Sequence, residues 1–290
     1  MKKWIEAMRL RTLPVSLAGV VCGTACALLN GSFNIIVVLL CALFAALAQI
    51  ASNFGNEYYD YKNGIDKKGR EGFRRGVTEG EISPKAMKYA TYSTILLAAV
   101  IGCVMLFFGP WWLVLVGIVI VLFALGYSAG PYPLSHHGLG DIAVIIFFGV
   151  IPVTFTCFLQ TKYFDTDTFA TSLAVGLLAA NVLIVNNYRD KEDDKAVGKN
   201  TTVVIWGRKA MGWWYLLSGF IAMVIMLPIW LILEYRAVAI TTIYLVLHIR
   251  NWQYLKNARG SALNPLLGRT AATLLLFSLM FLSGVMIYLF

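Results

Sequence analysis

Charge is scarce in this chain. Only 13% of its 290 residues are charged, against about 25% in an ordinary soluble domain. With 59% hydrophobic residues and a mean hydropathy of +0.72, that scarcity excludes a soluble globular protein and points to a polytopic membrane protein. Cysteine is sparse too: Cys22, Cys26, Cys41, Cys103 and Cys157 all fall in apolar runs and none forms a CxxC pair. Thiolate metal sites and a disulfide framework are therefore set aside in favour of small apolar packing residues. A cleavable leader is not expected, because Lys2, Lys3, Arg9 and Arg11 precede a full-length apolar run with no cleavage site. The net charge of +9 could suggest nucleic acid. Its carriers flank apolar runs, however, so the expected partners are membrane lipids and not nucleic acid.

What is abundant is long apolar sequence. Crossing a bilayer takes about 20 apolar residues, and nine stretches qualify: 13–30, 34–56, 86–108, 111–129, 141–160, 169–188, 211–231, 235–255 and 267–289. Several are dense in small residues, as helices that pack closely in lipid tend to be. The third and fourth are separated by Gly109 and Pro110 and form a hairpin. Trp111, Trp112, Trp213, Trp214 and Trp230 read as interface anchors. If the N-terminus lies on the same side as the loops after the even-numbered helices, every Lys and Arg but Lys162 and Arg236 falls on that side. The positive-inside rule makes it cytoplasmic. The expectation is an all-α, nine-transmembrane-helix bundle forming one membrane-embedded domain over 1–290. Its N-terminus is cytoplasmic, its C-terminus is opposite, and its cytoplasmic loops cover about 57–85, 130–140 and 189–210.

Two polar clusters interrupt this pattern at the cytoplasmic ends of the second and sixth helices: NEYYD at 56–60 and NNYRD at 186–190. Residues four apart share a helix face, which aligns Asn56 with Asp60, Asn186 with Asp190, and Asp190 with Asp194. Such residues can be no more than solvated helix ends or an exposed salt-bridge network. Two matched faces, preceded by Gln49, Asn53 and Asn181 inside the apolar runs, favour a functional cavity, because polar groups at depth are costly. Carboxylate and amide oxygens suit Mg²⁺, which is typically shared with phosphate oxygens, and helix C-termini add negative potential. Lys67, Lys68, Arg70, Arg74 and Arg75 follow the first cluster; Arg189, Lys191, Lys195 and Lys199 lie in or after the second. A diphosphate with its organic end in lipid suggests a polyprenyl diphosphate. Phe54, Tyr58 and Tyr59 could shield an allylic cation or simply belong to an interfacial aromatic belt.

At these residues the chain resembles the UbiA superfamily of intramembrane prenyltransferases. NEYYDYKNGID resembles the family's first aspartate motif through Asn56, Glu57, Asp60 and Asp66, with Glu57 in a position usually held by Asp. NNYRDKEDDKAVGKNT resembles the second through Asn187, Asp190 and Asp194, followed by Gly198, Lys199 and Thr201. The resemblance implies that Asn56, Glu57, Asp60, Asp66, Asn187, Asp190 and Asp194 hold Mg²⁺. It also implies that Arg74, Arg75, Arg189 and Lys199 bind diphosphate, and that Asp60, Asp190, Asn56 and Tyr127 are central to catalysis. Arg11 is a candidate for the acceptor carboxylate, or for a lipid phosphate. Asp141 reads by default as a helix N-cap, and the resemblance adds it as an acceptor-site candidate.

Residues 10–20 (LRTLPVSLAGV), 76–84 (GVTEGEISP) and 127–153 lean towards the branch that prenylates 1,4-dihydroxy-2-naphthoate in menaquinone biosynthesis. Its product is demethylmenaquinone, made in the cell inner membrane with loss of carboxylate and diphosphate. The branch acting on 4-hydroxybenzoate is expected to carry a YPxxKR-like stretch where this chain has YPLSHH, with His136 and His137 in the basic positions. Rival readings are a related enzyme with a 4-hydroxybenzoate or homogentisate-like acceptor, or an ion-coupled transporter. Transporter ion sites usually lie near the bilayer midplane, unlike these. A CDP-alcohol phosphotransferase lacks support, since its single long aspartate motif is missing.

Overall fold

The computed structural model describes residues 2–66, 68, 72–130 and 132–290; Lys67 and Arg70 lie outside the described residues. The elements are helical throughout: α1 Lys2–Met8, α2 Leu13–Leu29, α3 Ile35–Lys62, α4 Pro84–Met105, α5 Leu113–Gly126, α6 Gly140–Val144, α7 Ile151–Thr161, α8 Thr166–Ala196, α9 Thr202–Ile225, α10 Leu227–Leu233, α11 Tyr235–Asn257 and α12 Asn264–Leu289. Their starts follow local chemistry. Asn34 Oδ1 accepts from Ile36 N and Val37 N, Asp165 Oδ1 from Thr168 N and Thr201 Oγ1 from Val204 N, each satisfying amides that a helix leaves open. Ser83 Oγ caps α4 through Ala86 N, with Pro84 next in line.

Each of the nine predicted apolar stretches is helical, but not all qualify as spans alone. Six helices among the described residues are long and apolar enough to cross a membrane, and a seventh does so if α9 and α10 count as one rod bent by 57°. α5 is apolar but short, and α11 carries more polar residues along its length. The bend at Met226 precedes Pro228, which cannot continue the hydrogen-bond ladder. The chain is a multi-pass membrane protein. Its polar ends differ from expectation: α3 continues through the first cluster to Lys62 and α8 through the second to Ala196. The expected 189–210 loop is thereby reduced to residues 197–201.

α6 and α7 form one rod joined by a π-helical stretch, Ile145–Val150. Pro152 has no N–H for the turn before it, and a widened turn is one way a helix absorbs such a defect. The same stretch packs against α8 at Gly149 and Gly176: a Cβ on Gly149 would lie 2.4 Å from Gly176 Cα. Only glycine allows that approach, and it brings the rod carrying Asp141 against the helix carrying Asp190.

Packing is uneven. A single large core cluster joins α2, α7, α8, α9, α10, α11 and α12, with Tyr215, Phe277 and Phe281 fully buried. Inside a bilayer, lipid is as apolar as leucine, so close packing and interhelical hydrogen bonds hold such a bundle. Asn181 accepts from Ser218, Tyr215 pairs with Thr270, and His248 meets the Leu216 carbonyl. α5, by contrast, has no buried residue at all.

Candidate active site

The first cluster is built by a helix end and the turn that follows it. Asn56 and Asp60 lie one turn apart on α3. Beyond Lys62 the chain folds back so that Ile65 N and Asp66 N both donate to Asp60 O, at 2.9 and 3.3 Å. That turn sets Asp66 beside Asp60, and Arg75 joins them: its Nη2 is 3.8 Å from Asp60 Oδ2 and its Nε 3.2 Å from Asp66 Oδ2. All three side chains are at most 10% exposed, so the charges are weakly screened. Asn56 Oδ1 accepts from Ser128 Oγ at 2.9 Å, tying α3 to the end of α5.

Glu57 and Arg74 go elsewhere. Glu57 is 1% exposed, and its Oε1 accepts from Val77 N at 3.0 Å. It pins the 76–82 turn, whose Val77 and Ile82 pack on Phe54, Met87 and Ala7. Arg74 lies on the outside of the same loop, exposed and paired with Glu81. Adjacent residues of an extended loop point in opposite directions, so of the two arginines only Arg75 turns inward.

The second cluster is built within one helix. Asn187, Asp190 and Asp194, all buried, fall on one face of α8. The neighbouring Arg189 clamps Asp190 with both forks, Nε to Oδ1 at 2.6 Å and Nη2 to Oδ2 at 2.7 Å. The same guanidinium donates to Asn186 Oδ1 at 2.8 Å and to Asn264 Oδ1 of α12 at 2.9 Å. Lys199 returns over the helix end, its N donating to Asp194 O at 2.8 Å and its Nζ lying 3.4 Å from Asp194 Oδ1. Asn200 N then donates to His136 O at 3.0 Å, and His137 and Asn200 form the single β-bridge among the described residues. Burial, Lys199 and His137, in that order, lower the pKa of the His136 imidazole from its ordinary value. Asp141 accepts from Thr202 Oγ1 at 2.6 Å through Oδ2, which joins α6 to the start of α9.

Tyr127 is where these parts meet. It ends α5, and Asp141, Asp60, Asp194 and Arg9 all lie within electrostatic reach of its hydroxyl. Phe73 links the same region across the loops: the Arg11 guanidinium lies 3.5 Å from its ring centre and that of Arg189 5.0 Å, a double cation–π contact. From Tyr127 a cavity of about 530 Å³ runs along the whole of α5 to Leu113, between α2, α3, α4 and α7. Phe44, Phe123, Phe147, Phe155 and Leu159 are among its walls.

Among the described residues, no three His, Cys, Asp or Glu side chains converge as a ready metal cage. The carboxylates instead hold the protein's own cations: Arg75 at Asp60 and Asp66, Arg189 at Asp190, and Lys199 at Asp194. Sites that gather positive charge on oxygen-only donors suit a hard divalent cation. Phe73, Ser128 and Thr202 are among the partners that escaped the sequence reading. Phe73 carried a signal, as the only aromatic in a loop of charges and glycines. Ser128 and Thr202 carried none, because their contacts with Asn56 and Asp141 are long-range.

A multi-pass bundle with buried acid–arginine clusters at the mouth of an apolar chamber is the architecture of an enzyme acting on an amphipathic, charged-headed lipid. The chain belongs to the UbiA prenyltransferase family, whose profile matches residues 16–283. It is 38% identical to the 1,4-dihydroxy-2-naphthoate octaprenyltransferase of Escherichia coli over 213 residues, 70% of this chain and 68% of the relative. It is 35% identical to the Haemophilus influenzae protein of the same name over 221 residues, 71% of this chain and 70% of the relative. The fold is also that of a UbiA homologue from Aeropyrum pernix, with a TM-score of 0.73 at 14% identity over 97% of this chain and 99% of the other. A homologue from Archaeoglobus fulgidus bound to DMAPP and Mg²⁺ superposes with a TM-score of 0.66 at 16% identity over the same shares.

Proposed function

We propose that the protein transfers a polyprenyl group from a polyprenyl diphosphate to 1,4-dihydroxy-2-naphthoate, giving demethylmenaquinone in its reduced, quinol form. The observation that supports it most is that both aspartate clusters are tied to the end of α5, where the apolar cavity begins at Tyr127: Asn56 through Ser128, and the Asp194–Lys199 pair through the Asn200 N to His136 O and Ser135 N to Tyr127 O bonds. Bacterial relatives that carry this activity in their names add the acceptor. The prenyl tail lies along the cavity, with its diphosphate at the mouth. Arg75, Arg189 and Lys199 contribute positive charge there, and Arg74, exposed on the outer face of the loop, contributes to the long-range field.

The oxygen donors of Asn56, Asp60, Asp66, Asn187, Asp190 and Asp194 would hold Mg²⁺; Glu57, engaged by Val77, would serve it only indirectly. Bound Mg²⁺ supplies neutralisation of the departing diphosphate. The allylic C–O bond breaks and releases the diphosphate, the naphthoate ring carbon bonds to the allylic carbon, and the carboxylate leaves as carbon dioxide, so that the ring stays at the quinol level. Tyr127 borders the reacting carbon, while Arg11 and Asp141 flank the acceptor. The membrane is the cell inner membrane, crossed nine times, with the site and N-terminus cytoplasmic and the C-terminus opposite.

The test is to supply membranes containing the protein with labelled prenyl diphosphate and Mg²⁺, and with the naphthoate, 4-hydroxybenzoate or homogentisate in turn. Product is expected with the naphthoate. Product with 4-hydroxybenzoate alone would reassign the acceptor. Ion or solute uptake by proteoliposomes without prenyl diphosphate, and no transfer, would support a transporter instead.

A further inference from the structure

The apolar cavity has two wall positions with no side chain. Gly102 on α4 lies seven residues before Gly109, and Gly117 on α5 lies seven after Pro110. α4 and α5 are the two arms of the hairpin that turns at Gly109–Pro110, so the two glycines stand at matching heights, and both line the cavity. A Cβ on Gly117 would meet nothing within 4 Å, and one on Gly102 would meet only Phe44, at 3.5 Å. Neither glycine is required by backbone conformation, since both lie in regular helix and neither has positive φ. Neither is required by close packing. A mid-helix glycine costs about 1 kcal/mol relative to alanine, and here only open space in the cavity stands against that cost.

We infer that Gly102 and Gly117 form an open waist through which the prenyl tail passes, and that the size of the residues at this height sets the longest tail accepted. The inference rests on the proposed prenyl transfer. Gly117 is ten residues from Tyr127, about 15 Å along the helix. A five-carbon donor, with four bonds of about 1.5 Å in its main chain, cannot reach the waist from the mouth. A forty-carbon tail has to cross it. Filling the waist therefore separates long donors from short ones and leaves the polar site untouched.

The experiment compares dimethylallyl and octaprenyl diphosphates as donors for wild type, Gly117→Leu, Gly117→Trp and Gly102→Leu. Leu115→Trp is the control: Leu115 lies on the same helix, 55% exposed and outside the cavity lining. The octaprenyl-to-dimethylallyl ratio of kcat/KM should fall at least tenfold in Gly117→Trp and by a smaller factor in the two leucine variants. The five-carbon rate should stay within about threefold of wild type, and Leu115→Trp should keep the wild-type ratio. An unchanged ratio in all waist variants, or an equal fall for both donors in the milder Gly117→Leu, overturns the inference. Absence of transfer by the wild type with either donor would instead count against the proposed function.

Discussion

The two aspartate clusters match in sequence but are neutralised in different ways. At the first, a counter-charge among the described residues is Arg75, delivered by a loop that begins after the helix has ended and is held down by Glu57. At the second it is Arg189, the immediate neighbour of Asp190 on one helix, braced by Asn186 and Asn264. The difference follows the packing around them. α8 lies in the large shared core, whereas α3 borders the cavity and the unburied α5. One half of the site is held within a helix bundle; the other depends on a docked loop.

The largest effects should come from the carboxylates common to both halves. Asp60→Asn and Asp190→Asn should each reduce prenyl transfer by about 10²-fold or more, the scale seen when one group stabilising a developing charge is removed. Wild-type turnover in either variant would break the comparison at its root. The arginines should then separate the two halves. Arg189→Ala leaves Asp190 buried without its clamp, and removing one partner of a buried pair costs about 3–5 kcal/mol, so a marked fall in thermal stability should accompany lost activity. Arg75→Ala should lose comparable activity with a clearly smaller stability change, because its loop can give way. Equal losses of stability would contradict the contrast between a docked loop and a braced helix.

Loop docking itself is tested at Glu57. Glu57→Ala strands a buried Val77 N–H and should cost about 1–3 kcal/mol, while Glu57→Gln keeps an acceptor and should cost less. If Glu57→Gln instead abolished transfer with full stability, a direct role for the carboxylate would replace the loop-holding one.

The smallest effect concerns pH. Burial and the neighbouring Lys199 lower the His136 pKa in the fold, below the unfolded value of about 6.5. The unfolded chain takes up the proton first, and stability falls as pH drops below that value. His136→Gln should narrow the difference in Tm between pH 7.5 and pH 5.5.

Much of this was legible in the sequence for a local reason. Helical periodicity alone aligned Asn56 with Asp60 and Asp190 with Asp194, and apolar length alone located the helical rods. What the sequence hid was tertiary. Nothing local distinguishes Arg74 from Arg75, yet one pairs with Glu81 outside and the other with two buried aspartates. Nothing local shows that Glu57 accepts a hydrogen bond from the Val77 amide twenty residues on. The extents of α3 and α8 were underestimated because a polar helix end embedded in protein lacks the apolar signature used to count spans. The reach of the cavity along α5 was equally invisible, since lipid-facing and cavity-facing residues are alike in hydropathy.

The central claim is that the two clusters act as one clamp on one diphosphate. It is tested most directly by a double-mutant cycle on kcat/KM for Asp60→Asn and Asp190→Asn. Groups that act as a unit lose little more when both are removed than when one is, so the double variant should be within a few-fold of the slower single variant. Losses that multiply would mean that the two clusters act independently, and would contradict the claim.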